Sequence, residues 1–294
     1  MQNPEGVRAD LTPFSIRGPH LAVVCAPGFY PLLPVRRTGA PPMTDLALVT
    51  LASLLAGFVD AIVGGGGLVL VPTLFSVFPS AVPATLLGTN KATGVWGTGW
   101  ATVQFARRVQ LPWGALMPAA VAALCGSFAG AWAVTLVDAQ GLRKALPLVL
   151  LAVLAYTLVH KELGRVHAPR LHGGRQALVA SAIGAGLGFY DGFFGPGAGS
   201  FFVFLFVRFL GHDFLNASAS AKLLNTATNL AALALFALKG HVWWHLAGAM
   251  ALANVAGSVL GTLLALKHGA GFVRLGFIGV VAALIVKTGW DAFR

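Results

Sequence analysis

Residues 55–60 read LAGFVD, and 131 residues later residues 186–191 read GLGFYD. This offset relates Asp60 to Asp191 and, without a gap, two further pairs: Lys91 and Lys222, and Trp113 and Trp244. A shared apolar composition does not place acidic, basic and indole side chains in register. The pattern therefore predicts an internal duplication, with two structural repeats that have the same order of elements.

The composition around this duplication is that of a membrane protein. Apolar residues make up 57% of the chain and charged residues only 10%, whereas a soluble domain has about a quarter of its residues charged. A net charge of +11 would suggest nucleic acid in a soluble protein. Here many of the basic residues lie between apolar segments, so we interpret them as signals of membrane orientation and expect no nucleic-acid partner.

Each repeat contains five apolar segments. They cover residues 46–63, 68–79, 85–106, 113–136 and 142–160 in the first repeat, and 177–194, 199–210, 216–238, 244–267 and 273–290 in the second. A helix needs about 20 residues to cross the hydrocarbon core, and the second segment of each repeat has only about 12. This predicts an all-α polytopic membrane protein, in which each repeat has four full transmembrane helices and one short, glycine-broken half-helix.

The number of spans depends on these short segments. If they do not cross, the protein has eight spans, and its N-terminus, central loop and C-terminus all lie in the cytoplasm. If they do cross, it has ten spans and the repeats are inverted. Basic residues place the 107–108 link and the central loop inside, and a count of all loop charges favours eight spans.

The apolar pattern also predicts the domain boundaries. Residues 1–42 are rich in proline and lack periodicity, and Met43 stands directly before the first span. We expect a disordered or misassigned N-terminal extension here, with a signal peptide as the alternative. The first repeat then covers residues 43–160, a basic loop 161–176 and the second repeat 177–294.

Two glycine-rich runs, at 64–67 and 195–199, interrupt the apolar segments. Glycine costs about 1 kcal/mol in a helix relative to alanine, and broken backbone at membrane depth is tolerated only where it is buried or lines a cavity. The N–H groups that begin the next half-helix favour an anion. We predict anion-binding positions at Gly65, Gly66, Gly67, Gly197 and Gly199, with tight helix packing as the alternative.

Charged residues inside the predicted spans are the next candidates, because they cost several kcal/mol unless paired or hydrated. We predict that Lys91 and Lys222 bind an anionic substrate, and that Asp60 and Asp191 serve in coupling or in an ion pair with a lysine. The alternatives are a lysine that extends to the membrane interface and an aspartate that caps a helix.

Polar residues accompany both lysines. Thr89 and Asn90 precede Lys91, and Asn225 and Asn229 follow Lys222 at a spacing that places them on one helix face. These side chains can donate hydrogen bonds to an oxyanion, and we predict that they line the substrate site. Hydrogen bonding between helices is the competing use.

Other motifs are weaker. His241 and His245 are four residues apart without a third ligand, and no nucleophile–base pair is evident. We therefore expect no enzyme activity, no metal and no cofactor. Two GxxxG motifs, at 126–130 and 257–261, allow close helix approach, either within the monomer or in a homodimer.

Four stretches together resemble the TauE/SafE family of sulfite exporters, also called TSUP. They are GFVDAIVGGGG at 57–67, LGTNK at 87–91, GFYDGFFGP at 188–196 and AKLLN at 221–225. The resemblance covers about 45–290 and is closest to a bacterial subgroup of probable membrane transporters. It implies an inner-membrane permease of about eight spans, whose substrates are sulfite, organosulfonates or related sulfur-containing or organic anions.

The residues and the resemblance together predict a secondary transporter that binds a small anion between its repeats. The alternatives are a passive anion channel and a non-transporting membrane scaffold or assembly protein. The expected partners are the anion and the lipid bilayer, with a homodimer as a further possibility.

Overall fold

The computed structural model describes residues 43–138, 141–142 and 171–292, and the side chains in these ranges except those of Val63 and residues 269–292. The predicted extension at 1–42, nearly all of the segment at 142–160 and most of the basic loop lie outside them. The elements of the described part are helical: α1 (Met43–Val63), α2 (Gly66–Val77), α3 (Pro83–Ala106), α4 (Trp113–Val134), α5 (Gly173–Phe193), α6 (Ala198–Leu205) with one π-helical turn (Phe206–Leu210), α7 (Phe214–Leu238) and α8 (Trp244–Ala292).

The helix boundaries repeat at the offset found in the sequence. Helices α1 to α4 begin at residues 43, 66, 83 and 113, and α5 to α8 begin at 173, 198, 214 and 244. Each start is therefore repeated within one residue of the 131-residue offset. This confirms an all-α architecture with two pseudo-repeats.

Local sequence explains where the helices break. Gly64 and Gly195 follow the first helix of each repeat with φ of 77° and 90°, a left-handed conformation that residues with a side chain rarely adopt. Pro83 stands in the first turn of α3, where its missing N–H costs nothing. Asp213 caps α7 by accepting a hydrogen bond from the Asn216 N–H at 2.7 Å.

Four described helices are long and apolar enough to cross a membrane. They cover Met43–Ile62, Trp113–Val134, Phe214–Leu238 and Trp244–His268. Helices α3 and α5 are of similar length but less apolar. At 12 residues, α2 is about 18 Å long, shorter than a hydrocarbon core of about 30 Å.

Helix α8 is longer than expected, because it continues to Ala292 through both predicted segments, 244–267 and 273–290. No proline separates these segments, and the glycines at 269 and 271 lower helix stability without preventing helix formation. The two predicted segments therefore form one helix of 49 residues.

Contacts between the repeats show the direction of each helix. Helix α1 lies parallel to α8, because the Ser53 hydroxyl donates to the Met250 carbonyl at 2.7 Å and Gly261 lies farther along, against Phe58. Helix α5 lies parallel to α4, where Gly184 faces Ala119 and Gly192 faces Ser127. The first helix of each repeat thus packs on the fourth helix of the other repeat.

The central helices complete the pattern. Helix α3 is antiparallel to α7, as the contacts of Gly88 with Phe236 and of Thr102 with Thr226 show. It is parallel to α8, as Thr89 with Trp243 and Gly97 with Ser258 show. Helix α4 is parallel to α7, as Ser127 with Thr228 and Thr135 with Lys239 show. Every described helix of the second repeat whose direction these contacts fix therefore runs opposite to its equivalent, and the repeats are inverted.

Each short helix runs back toward the end of the bundle at which the preceding long helix begins. Phe78, directly after α2, stacks edge-on against Trp243 with ring centroids 5.2 Å apart, and Trp243 lies beside the start of α8. His212, after the π-helical turn, lies 3.5 Å from Gln176 in the first turns of α5. Helix α1 with α2, and α5 with α6, therefore form two re-entrant hairpins.

This arrangement corrects the predicted topology. From the sequence, α1 and α5 were expected to cross completely, and inverted repeats were expected if the short segments cross. In the structure each hairpin contributes no net crossing, so the short segments do not cross and the repeats are nevertheless inverted. The starts of α1 and α5 lie at opposite ends of the bundle, which does not agree with the expectation that the N-terminus and the central loop share one side.

The GxxxG faces lie inside the monomer. Gly126 and Gly130 contact the backbone of α5, and Gly257 and Gly261 contact the backbone of α1. A methyl group at any of these positions would meet a neighbouring backbone, so glycine permits this close approach. The predicted homodimer therefore gains no support from these motifs.

Candidate functional site

The two glycine-rich breaks meet at the centre of the bundle. The Ser200 N–H donates to the Gly64 carbonyl at 3.1 Å. A Cβ on Gly64 would lie 2.8 Å from the Gly199 Cα, and a Cβ on Gly199 would lie 2.7 Å from the Gly64 Cα. Only residues without a side chain allow the two hairpin tips to touch, which brings both sets of flanking polar residues together.

Two lysine–aspartate pairs cross between the repeats beside these tips. Lys91 Nζ lies 2.7 Å from Asp191 Oδ2, and Lys222 Nζ lies 3.8 Å from Asp60 Oδ2. Each lysine comes from the third helix of one repeat and each aspartate from the first helix of the other. The 131-residue offset converts one pair into the other.

The Lys91 pair is short and closed from solvent. The side chains of Lys91 and Asp191 are 3% and 2% exposed, and Lys91 Nζ also donates to Asn229 Oδ1 at 3.0 Å. Such burial is favourable only when the charges are paired and hydrogen-bonded.

The Lys222 pair is looser at the carboxylate. Lys222 Nζ donates to the backbone carbonyl of Asp60, and its distance to the Asp60 carboxylate is 3.8 Å. That carboxylate accepts from the Gly66 N–H and the Thr98 hydroxyl, each at 3.3 Å, and the side chain is 14% exposed. Asp60 is therefore the more open of the two aspartates.

Thr98 and Asn229 mark the pseudo-two-fold axis. They are equivalent residues, 131 positions apart, and Asn229 Nδ2 donates to Thr98 Oγ1 at 3.4 Å. A residue can contact its own repeat equivalent only where both lie near the axis. The two ion pairs flank this contact, since Thr98 bonds Asp60 and Asn229 bonds Lys91.

A small polar cavity opens between these groups. Its volume is about 40 Å³, and at about 10–15 Å³ per water it has room for about three waters. Its lining comes from both repeats: Ala56, Asp60, Gly64, Gly66, Gly67, Leu70, Asn90, Lys91, Gly94, Thr98, Asp191, Gly195, Gly199, Asn225, Asn229 and Asn254. Among the described residues, the side-chain amides of Asn90 and Asn225 have no hydrogen-bond partner.

The structure brings most of the predicted site residues to this cavity. Those that line it are Asp60, Gly66, Gly67, Asn90, Lys91, Asp191, Gly199, Asn225 and Asn229. Four others do not. Lys222 is buried behind Asp60, the Thr89 hydroxyl bonds the Thr85 carbonyl and the Trp243 N–H, and Gly65 and Gly197 cap the short helices.

Seven lining residues were not predicted: Ala56, Gly64, Leu70, Gly94, Thr98, Gly195 and Asn254. Thr98 could have been found from the repeat, because the offset pairs it with Asn229. Asn254 is an amide within an apolar segment, and its Nδ2 bonds the Ser53 carbonyl at 3.1 Å. Its equivalent is Ala123, so the duplication gave no signal for it.

The histidine pair lies away from the cavity. The Thr85 hydroxyl lies 3.1 Å from His241 Nδ1, in the link between α7 and α8. Burial and then the nearby charge of Lys239 lower the pKa of His241. Within residues 43–138, 141–142 and 171–292, no three histidine, cysteine, aspartate or glutamate side chains converge as metal ligands would.

Comparison with known proteins relates the chain to membrane transporters. The profile of the family described as Sulfite exporter TauE/SafE matches residues 49–288. The probable membrane transporter protein YfcA of Escherichia coli K12 is 36% identical over 248 residues, covering 84% of this chain and 90% of that protein. The probable membrane transporter protein ORF9 of a Sinorhizobium species is 34% identical, covering 82% and 91%. No solved structure matches the chain.

Proposed function

The chain belongs to the TauE/SafE family of membrane transporters, and from that premise we propose that it is a secondary transporter of a small anion. The membrane is a bacterial inner membrane, and the anion is sulfite, an organosulfonate or a related sulfur-containing or organic anion. The observation that carries the proposal is the cavity at which two inter-repeat lysine–aspartate pairs and two unpaired amides meet.

The chemistry of the cavity suits an anion. Lys91 supplies a positive charge at its wall, and the unpaired amides of Asn90 and Asn225 each offer two N–H donors. Ionisable groups inside a membrane bundle are costly, and they commonly mark a substrate pathway. The groups are paired in the structure, so an anion would take over donors that aspartate and asparagine oxygens now occupy.

The inverted repeats supply a means of alternating access. In transporters with this symmetry, the site lies at the repeat interface near discontinuous helices, and one repeat moves against the other around it. The cavity here lies between the hairpin tips and the crossing of α3 with α7. These are the features that such a movement requires.

Basic residues support one orientation. The end at which α4, α5 and α7 begin carries Arg107, Arg108, Arg175 and Arg208, and α8 reaches it near Lys267. Among the described residues, the opposite end carries Lys239 alone. The positive-inside rule places the first of these ends in the cytoplasm. The central loop then lies inside, and the start of α1 lies on the outer side.

Binding to purified protein in detergent tests the proposal, with sulfite, sulfate, thiosulfate, methanesulfonate and acetate as probes. We expect selective stabilisation by at least one of them, which reaches about 2.7 kcal/mol at 100 times its Kd. Lys91→Gln should weaken binding about 10- to 100-fold through loss of a charged hydrogen bond. Lys239→Gln, at an exposed lysine, is the matched control.

Flux in proteoliposomes completes the test. We expect uptake that saturates with anion concentration and falls in Lys91→Gln. Flux that rises linearly would replace the transporter with a passive channel. If none of the five anions binds, or if Lys91→Gln binds as well as the natural protein, the proposed site is wrong.

A further inference from the structure

The charges around the cavity balance before any anion arrives. Lys91 and Asp191 form one pair, and Lys222 and Asp60 form the other, so the four groups sum to zero. A monoanion would leave one uncompensated negative charge in a water-poor site between two carboxylates, and such a charge is strongly disfavoured. A cation that binds with the monoanion would restore the balance.

We infer that this cation is a proton taken up by Asp60, so that the protein binds its anion and one proton together. The inference rests on the proposed function and adds the coupling ion and its site. The proton passes from water to the carboxylate of Asp60, whose ion pair with Lys222 is given up. With Asp60 neutral, the positive charge of Lys222 balances the anion.

Geometry selects Asp60 over Asp191. Asp60 lies 3.8 Å from its lysine and is 14% exposed, whereas Asp191 lies 2.7 Å from Lys91 and is 2% exposed. Protonation of Asp60 therefore gives up the weaker pair on the more accessible side chain. Lys222 keeps a partner afterwards, because its Nζ also donates to the backbone carbonyl of Asp60.

Among the described residues around Asp60, the other carboxylate is that of Asp191, which is held more tightly. Helix α7 presents Lys222, α3 presents Thr98 and, across the cavity, Lys91, α2 presents the Gly66 N–H, and α5 contributes Asp191. Helix α8 contributes the neutral amide of Asn254. Among the described lining residues, Asp60 and Asp191 are the carboxylates, and only Asp60 combines exposure with a loose pair.

Proton uptake on anion binding tests this inference. Purified protein in weakly buffered detergent solution is mixed with methanesulfonate or acetate, the two probes that are monoanions near neutral pH, while a pH dye reports proton uptake. The natural protein should take up about one proton more per bound anion than Asp60→Asn, and its Kd for the anion should increase as the pH is raised. Using the difference removes any titration of the anion itself.

Two variants serve as controls. Asp60→Asn keeps a side-chain oxygen for the Gly66 N–H and should bind the anion with no dependence on pH. Asp45→Asn, in the first turn of α1, should retain the full uptake. If Asp60→Asn does not fold, the natural protein in proteoliposomes still tests the coupling: protons should move in the same direction as the anion, and anion flux without proton movement would overturn it.

The outcomes separate the two proposals. Anion binding without proton uptake, uptake that persists in Asp60→Asn, or binding that requires Na⁺ at constant pH would each overturn the coupling and leave the anion site standing. Failure of all the anions to bind would overturn the proposed function, and the coupling with it.

Discussion

The two halves of the molecule share their helix boundaries but differ at the site. Lysine and aspartate occur at equivalent places in both, whereas the polar residues around them do not. The equivalents of Asn90, Gly94 and Thr98 in α3 are Ala221, Asn225 and Asn229 in α7. The duplicated charges preserve the crossing between repeats, and the unequal amides make the cavity asymmetric.

The two ion pairs also differ between the halves. Asp191 has Lys91 as its close partner, while Asp60 also accepts from the Gly66 N–H and the Thr98 hydroxyl. One half therefore holds its aspartate by a single buried charge pair, and the other holds it by several weaker contacts. Equivalent residues of the two repeats can therefore contribute unequally to stability.

The largest effect should come from removing Lys91. Lys91→Met leaves the buried carboxylate of Asp191 without its cation and should lower the free energy of unfolding by about 3–5 kcal/mol. Lys222→Met should cost only about 1–3 kcal/mol, because Asp60 keeps two donors and partial exposure. Thermal and denaturant unfolding of both variants in the same detergent measures the difference.

A second substitution checks the cause of that loss. Lys91→Met combined with Asp191→Leu removes the uncompensated charge and should recover most of the stability. Equal losses for Lys91→Met and Lys222→Met would show that the two pairs are energetically equivalent, and the asymmetry drawn from their distances would fail.

The sequence predicted the repeated helices more fully than their directions. Hydrophobic segments and glycine breaks are local signals, and they located α1 to α7 well. Direction depends on whether α2 turns back along α1, which is a tertiary property: Val49 of α1 shares one apolar cluster with Leu74 of α2 and Met250 of α8. No local pattern contains that contact, and the charge count, which favoured eight spans, did not show that the repeats are inverted.

For the site, likewise, the sequence predicted the charged residues but not how they pair. The offset identified both lysines and both aspartates, because intramembrane charges are rare enough to be recognised singly. It did not show that Lys91 pairs with the aspartate of the other repeat, since pairing follows from the inverted packing. Asn254 escaped notice because its role depends on contact with Ser53, about 200 positions away.

An intermediate effect is expected at the hairpin tips, where the halves again differ. Gly64→Ala would place a methyl group 2.8 Å from the Gly199 Cα and retain a φ of 77°. The conformation costs about 1–2 kcal/mol, and the overpacking adds about 1–3 kcal/mol. At its equivalent, Gly195, the nearest atoms to a Cβ lie 3.5 Å away, so Gly195→Ala should show the conformational cost alone.

Gly248→Ala controls for the added methyl group, because nothing lies within 4 Å of a Cβ at that position in α8. It should leave the unfolding midpoint unchanged or raise it slightly. A smaller loss for Gly64→Ala than for Gly195→Ala would contradict the close contact between the two tips.

The smallest expected effect is a pH dependence of stability that arises at one end of the bundle and not at the other. Burial and the charge of Lys239 lower the pKa of His241, so the unfolded chain binds more protons than the folded one as pH falls through about 6.5, and stability decreases there. The equivalent of His241 is Gln110, which does not titrate. On acidification, the natural protein should therefore lose up to about 0.5 kcal/mol of its free energy of unfolding through His241, a small amount because the ring is half exposed. His241→Gln should remove this loss. The reciprocal Gln110→His, at an exposed position, should add no such loss. Unfolding measured for all three proteins across this pH range decides the matter: a slope unchanged by His241→Gln would place the acid sensitivity elsewhere in the molecule.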